Sequence, residues 1–334
     1  MVLTSPSADD VCATDDSIVT GDTPPDDTTP RAPGRVGCST VARRLGEPLA
    51  GTAPAGTTRW LLVEHPGPWP LQPAQLSPVL ARAEAAGIRV QLIRRPARRR
   101  RVSPHQIYVV NTERPWVEGR EIADLAELAA LDVAAVAAGR RPGFGETVAG
   151  PVFLVCTHGR RDACCAEFGR PVAAAIARDH AAAWETTHLG GDRFAASAVC
   201  FPDGLYFGRL DPASGPEVAA AYARGEIVLP HFRGRAGTPD AVQAAEHHVR
   251  MHLDARGTAD LATRDVTPDG ACTAVVLDVR DRRFRVLVEH GESAVRRQLT
   301  CRATEATCAP VRRVVGLTEV AGETRPAVLA VAAT

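Results

Sequence analysis

Lysine is missing from these 334 residues: every basic side chain is Arg, and 39 of them balance 39 carboxylates to a formal net charge of zero. Charge that is spread and cancelled implies no polyanion partner globally, so nucleic acid is disfavoured as a partner. There is no apolar run of about 18 residues and no secretory apolar region near the start, so neither a membrane span nor export is expected. Nine Cys, unevenly placed, are too few for a secreted disulfide scaffold. A reducing cytoplasm, with thiols kept for metal or redox chemistry, is the expected setting. No G-x-S-x-G elbow and no pair of catalytic carboxylates is present, so nothing supports a hydrolase.

Aromatic residues make up 4% of the chain and none precedes Trp60. Residues 1–57, rich in Asp, Thr, Pro, Gly and Ala, cannot bury enough apolar surface to offset chain entropy, and are expected to be disordered. An α/β domain is expected over 58–148. WLLVEH (60–65), IRVQLI (88–93) and QIYVVN (106–111) read as strands, Ser77-Pro78 caps a helix that Gly87 ends, and apolar spacing predicts a helix over 122–138. Between two of these strands, six Arg at 94–101 must lie apart in a solvated loop; the alternative is a docking patch for an acidic redox partner or nucleic acid. A further domain is expected over 149–236, and a small α+β domain over 237–334, with a helix after Pro239 followed by strands.

The chemistry concentrates in VCTHGRRDACC (155–165) and THLGGDRF (187–194), which gather thiols and imidazoles within one short span. The pattern reads as an iron-sulfur or other metal site. PVFLVC delivers Cys156 from a strand end to a loop, where sites of α/β folds lie. Asp162 suits a helix N-cap, which places Cys164 and Cys165 in the first turn, where the positive helix end favours thiolate. Adjacent helical residues point about 100° apart, so only one of the two can face Cys156. Gly190 and Gly191 allow a tight turn between His188 and Asp192.

The pairing of CTHGxxDxCC with HxGGDRFA and the hairpin FPDGLYFGR resembles the sucrase/ferredoxin-like family, strongly over 151–235 and more weakly to 253. The resemblance implies an α/β fold with a thioredoxin-like ferredoxin domain and a 2Fe-2S cluster. In that family the second motif is HxGGH, and two Cys and two His hold the cluster; carried over, this implies Cys156, Cys165 and His188. The fourth position here is Asp192, a provisional ligand ahead of Cys164 and His158. Strand, helix, strand, hairpin, helix is also the thioredoxin-like order.

Three functions compete: a 2Fe-2S electron carrier working with a reductase or acceptor protein, a thioredoxin-like thiol redox or sensor protein, and a zinc-binding module. The first is preferred; the second lacks a C-x-x-C. Arg160, Arg161 and Arg193 are candidates to stabilise an anionic cluster, against ordinary surface pairing, and His158 is a candidate hydrogen-bond donor to the ligands. Cys200 reads as a buried hydrophobe, His247, His248 and His252 as a solvated helix face, and Cys301 and Cys308 as structural.

Overall fold

A computed structural model describes residues 36–96 and 104–321. The fold is α/β. It contains a mixed ten-stranded sheet of order β10-β9-β8-β6-β7-β2-β1-β3-β4-β5 and a four-stranded antiparallel sheet, β11-β12-β13-β14. The first strands are β1 (Arg59–Glu64), β2 (Arg89–Arg94), β3 (His105–Asn111), β4 (Trp116–Ile122) and β5 (Glu146–Thr147). The next are β6 (Val152–Cys156), β7 (Ala183–Thr186), β8 (Ala198–Phe201), β9 (Leu205–Phe207) and β10 (Phe232–Arg235). The small sheet comprises β11 (Leu261–Asp269), β12 (Cys272–Val279), β13 (Arg282–Glu292) and β14 (Pro310–Val320). The helices are α1 (Cys38–Arg44), α2 (Pro78–Ala85), α3 (Val133–Ala137), α4 (Ala163–Ile176), α5 (Ser214–Ala223) and α6 (Asp240–Leu253).

The large sheet is built from two halves of the same topology. In the first, β1 and β2 run parallel around α2, β3 pairs antiparallel with β1, and β4 closes a hairpin. In the second, β6 and β7 run parallel around α4, β8 pairs antiparallel with β6, and β9 closes a hairpin. The halves join where β2 and β7 pair antiparallel, Ile93 against Thr186. One sheet therefore runs across the expected boundary near residue 148.

Strand alternation explains the layers. Leu61 and Val63 point to α2 and α3, while Phe153 and Val155 point to α4 and α5. The opposite faces share one core: Trp60, Leu62, Tyr108 and Val110 of the first half meet Leu154, Trp184, Phe201 and Tyr206 of the second. Trp60 and Phe201 touch edge to face at 5.1 Å. α6 lies between β10 and the small sheet, covering Val275, Leu277, Phe284 and Val286. No helix among the described residues is long and apolar enough to cross a membrane.

Three expectations need correction. Residues 36–57 are ordered and carry α1, because Cys38, Ser39, Ala42 and Ala53 are buried by contacts remote in sequence. The Ser39 hydroxyl donates to the Ala195 carbonyl at 3.0 Å, and the Ala53 N–H to Gln243 Oε1 at 3.0 Å; residues 1–35 lie outside the described residues. Next, 122–138 is not one helix. Asp124 caps a short 3-10 turn over Leu125–Ala130, Leu131 is extended, and Asp132 caps α3 anew, so two N-capping carboxylates divide the apolar pattern. The third concerns the arginine run: Arg94 pairs with Glu185 at 2.6 Å and stacks on Trp69, and Arg95 stacks on Trp184, so its first two members are packed. Arg98 to Arg101 lie outside the described residues.

Phe284 is 2% exposed at the centre of the α6 and small-sheet core. Phe284→Ala should cost about 3 kcal/mol or more in urea unfolding, and a loss under about 1 kcal/mol would mean that this core does not stabilise the fold.

Candidate metal centre

β6 and β7 run parallel and in register, Cys156 opposite Thr186, so both deliver their following residues to one edge of the sheet. Crevices at strand carboxyl ends are where open α/β sheets bind ligands. β6 ends on Cys156; two residues beyond β7 stands His188. α4 begins at the same edge, capped by Asp162, whose Oδ1 accepts the Cys164 N–H at 2.9 Å. In that first turn the two cysteines diverge: Cys165 faces Cys156 and His188, and Cys164 faces Cys38 and Cys301.

One ligand-type atom from each of Cys156, Cys165 and His188 lies within 4.8 Å of the other two. Asp192 closes the group, its Oδ1 being 3.3 Å from Cys165 Sγ and 3.0 Å from His188 Nδ1. The latter contact is an ion pair whenever the His188 ring is protonated. Cys156, Cys165 and Asp192 are buried, whereas the His188 side chain is 26% exposed and is the edge that reaches solvent.

Charge follows from this packing. The Cys165 thiol donates to Asp192 Oδ1 and lies against Cys156, and its interaction with Cys156, against the effect of burial, holds Cys156 well below the ordinary thiol range; the His188 charge and the His158 backbone N–H add to this. Cys165, the donor, is pushed well above it. Burial opposes a charged His188, but the Asp192 carboxylate and Cys156 outweigh it and lift the imidazole to about 10. Burial likewise opposes ionisation of Asp192, and the His188 charge overcomes it, with help from Cys165 and Arg161. The site thus favours a thiolate and a carboxylate facing an imidazolium.

The loop carrying His188 is held from both halves. Arg89 Nη2 and Gln91 Nε2 on β2 donate to the His188 carbonyl at 3.0 and 3.2 Å. Gln91 Oε1 accepts from the hydroxyls of Thr186 and Thr187, so this buried amide uses both ends. Arg233 on β10 is 1% exposed; it donates to the Gly190 carbonyl at 3.1 Å, to the Ser197 and Thr52 hydroxyls and to the Thr52 carbonyl. Gly191 has φ +76°, and a Cβ there would stand 2.3 Å from the Arg233 guanidinium, so backbone conformation and close approach both require glycine. Arg233 was not singled out by motif, although it lies within GEIVLPHFRGR; Gln91 carried a signal as a polar residue set between Val90 and Leu92 of a strand.

The remaining candidates are placed as follows. His158 is buried, edge-on to Trp69 at 5.8 Å, and reaches Cys156 through its backbone. Arg161 acts electrostatically on Asp192. Arg160 donates to the Trp69 carbonyl at 3.3 Å. Arg193 pairs with Glu47 at 2.6 Å and covers Phe194. Cys164 is turned away from Cys156. Cys200 is buried in the core, and His247 and His252 pack on Phe232 and Phe284.

A sequence profile of the family described as sucrase/ferredoxin-like matches residues 49–234, more than half of the chain, and its start brings the first half of the large sheet inside the family region. No curated protein and no solved structure matches the chain.

Gly169 on α4 lies against the end of β6: a Cβ there would stand 2.0 Å from the Cys156 carbonyl oxygen. Ala in a helix gains about 1 kcal/mol over Gly, but overpacking against backbone costs about 1–3 kcal/mol or more, and here it should win. Gly169→Ala should therefore lower the urea midpoint, and an unchanged or raised midpoint would show that α4 does not press on the Cys156 strand end.

Proposed function

The chain belongs to the sucrase/ferredoxin-like family, and we propose that it is an electron-transfer protein whose Cys156, Cys165, His188 and Asp192 hold a 2Fe-2S cluster. The observation that carries this reading is the convergence of two buried thiol sulfurs and an imidazole ring nitrogen at the sheet edge. Soft thiolates with imidazole suit iron-sulfur ligation, so the residues fit the group. A bound 2Fe-2S cluster supplies one-electron exchange at a potential set by its ligands and their surroundings. Around it, Arg89, Gln91 and Arg233 fix the His188 loop, the shared core excludes water from the sulfurs, and the exposed His188 edge gives a short route to a partner.

A cleft of about 550 Å³ beside the site is lined by Trp69, His158, Arg94, Arg160, Arg170 and Arg302. Its positive lining suits an acidic redox partner, a reductase or acceptor, in a reducing compartment such as the cytoplasm. A second reading, a single zinc ion on the same residues, is favoured by one feature: donor atoms within 4.8 Å of one another match the span around one tetrahedral metal.

Anaerobically purified full-length protein should be red-brown, with about two iron and two sulfide per chain. Cys156→Ser, Cys165→Ser and His188→Ala should each abolish or destabilise that colour. Colourless protein with zinc bound by two sulfurs and two lighter atoms would establish the zinc reading instead.

Asp192 stands where HxGGH has its second His. Asp192→His replaces an anionic ligand by a neutral one, which stabilises the more negative reduced state, so the midpoint potential should rise. An unchanged potential in a protein that keeps its iron would remove Asp192 from the ligand set.

A further inference from the structure

Away from the site just described, three cysteines remote in sequence meet in one buried cluster. Cys38 opens α1, Cys164 lies in the first turn of α4, and Cys301 lies between β13 and β14. Their sulfurs are 3.4 Å (Cys164 to Cys301), 3.7 Å (Cys38 to Cys301) and 3.9 Å (Cys38 to Cys164) apart. Asp162 Oδ2 is 3.6 Å from Cys38 Sγ, and one ligand atom from each of the four residues lies within 4.8 Å of the rest. We propose that Cys38, Cys164, Cys301 and Asp162 form a second metal site, a structural zinc site distinct from the family's cluster site.

The geometry carries the assignment. Zinc–sulfur bonds of about 2.3 Å at tetrahedral angles put sulfur atoms about 3.8 Å apart, and the three separations fall around that value. A disulfide needs about 2.05 Å, which no pair approaches, and three mutually equidistant thiols have no reason to pair two by two. The fourth donor is an oxygen of a carboxylate that is 0% exposed. Asp162 Oδ1 accepts the Cys164 N–H, and Oδ2 accepts the Cys301 N–H at 2.7 Å, which leaves Oδ2 a lone pair toward the sulfurs. Access exists, since clefts of about 550 Å³ and 280 Å³ reach Cys301, and the smaller also reaches Cys38.

Cys38 and Cys301 both lie outside the family-matched residues 49–234, so the site belongs to the flanks of this chain. Bound there, the metal would pin the N-terminal helix and the C-terminal segment to the first turn of α4, next to Cys165. Binding would replace three S–H bonds by three Zn–S bonds, add one Zn–O bond from the Asp162 carboxylate in place of the ion's bound water, and release three protons to solvent, with no change of oxidation state. Oxygen and sulfur donors in a closed tetrahedral set, without an open position, define a structural rather than a catalytic zinc.

The test is metal analysis and zinc-edge X-ray absorption on full-length protein purified without chelator and supplied with one equivalent of Zn²⁺. The expected result is about one zinc per chain with three sulfurs near 2.3 Å and one oxygen. Cys38→Ser and Cys301→Ser should each weaken zinc binding by about 100-fold or more while leaving any iron and visible spectrum unchanged, and Cys156→Ser should keep the zinc. Because the absorption measurement uses unaltered protein, it decides even if a variant fails to fold. A shell of two sulfurs and two lighter atoms, zinc lost in Cys156→Ser but kept in Cys301→Ser, no retained zinc, or a disulfide among these three cysteines would each overturn the proposal. Failure of the iron-sulfur reading shows instead as colourless protein, whatever the state of this second site.

Discussion

The buried carboxylate of Asp162 is the interaction on which the rest of the site depends. Removing a carboxylate from water is expensive unless it is hydrogen-bonded and faces positive charge. Asp162 meets this need by capping α4: it accepts backbone N–H groups from Cys164 and Cys301 and faces the positive end of a helix of 14 residues. Even so, burial and the nearby Asp192 carboxylate push it up to about 7. By fixing where the helix starts, Asp162 fixes the rotation of its first turn. That rotation sends Cys165 to one side and Cys164 to the other, so a single cap separates two clusters of sulfur.

The halves of the large sheet show why a repeated topology carries its chemistry on one side only. The loop after β1 meets the loop of α2 as the loop after β6 meets α4, yet residues 65–77 contain no Cys and four Pro or Gly before Gln72. The first half instead supplies support: Arg89 and Gln91, on the strand that pairs with β7, hold the His188 carbonyl. Because β2 and β7 are the joining strands, the second half's site leans on the first half's edge. The family match begins at residue 49 and so includes that edge.

Local pattern was legible where the signal is local. The strand ending at Cys156, the capped helix after Asp162, the hairpin turning at Asp203-Gly204 and the helix after Pro239 all lie close to where period and punctuation place them. The nearness of Cys156, Cys165 and His188 was also readable, because two loops of one unit bring them together. What was hidden is non-local. α1 looked too polar to fold because the residues that bury Cys38 and Ser39 lie far along the chain, at Ala195 and Cys301. Each of Cys38 and Cys301 has no ligand-type neighbour at a motif spacing, so spacing had nothing to report. Arg233 was hidden for a similar reason, since an arginine in a strand reveals neither its burial nor the carbonyls it will satisfy.

The same arginine bears on why an aspartate can stand where the family motif has histidine. A thiolate and a carboxylate facing a single imidazolium leave net negative charge in a dry site, which a second imidazole would have avoided. Arg233 lies buried behind Gly191, and although burial pulls it down to about 10, at neutral pH it keeps its charge and the nearby Asp192 and Cys156 favour that charge. Arg161 adds a second positive charge from the α4 side. Arg193, by contrast, is committed to Glu47, which also pairs with Arg297 and so ties the N-terminal segment to the C-terminal one. The chain therefore divides its guanidinium groups between two tasks: Arg233 and Arg161 offset the charge that Asp192 introduces, and Arg193 and Arg297 fasten the flanks beside it. With lysine absent, both tasks fall to a planar cation that stays charged when buried and can satisfy several carbonyls at once.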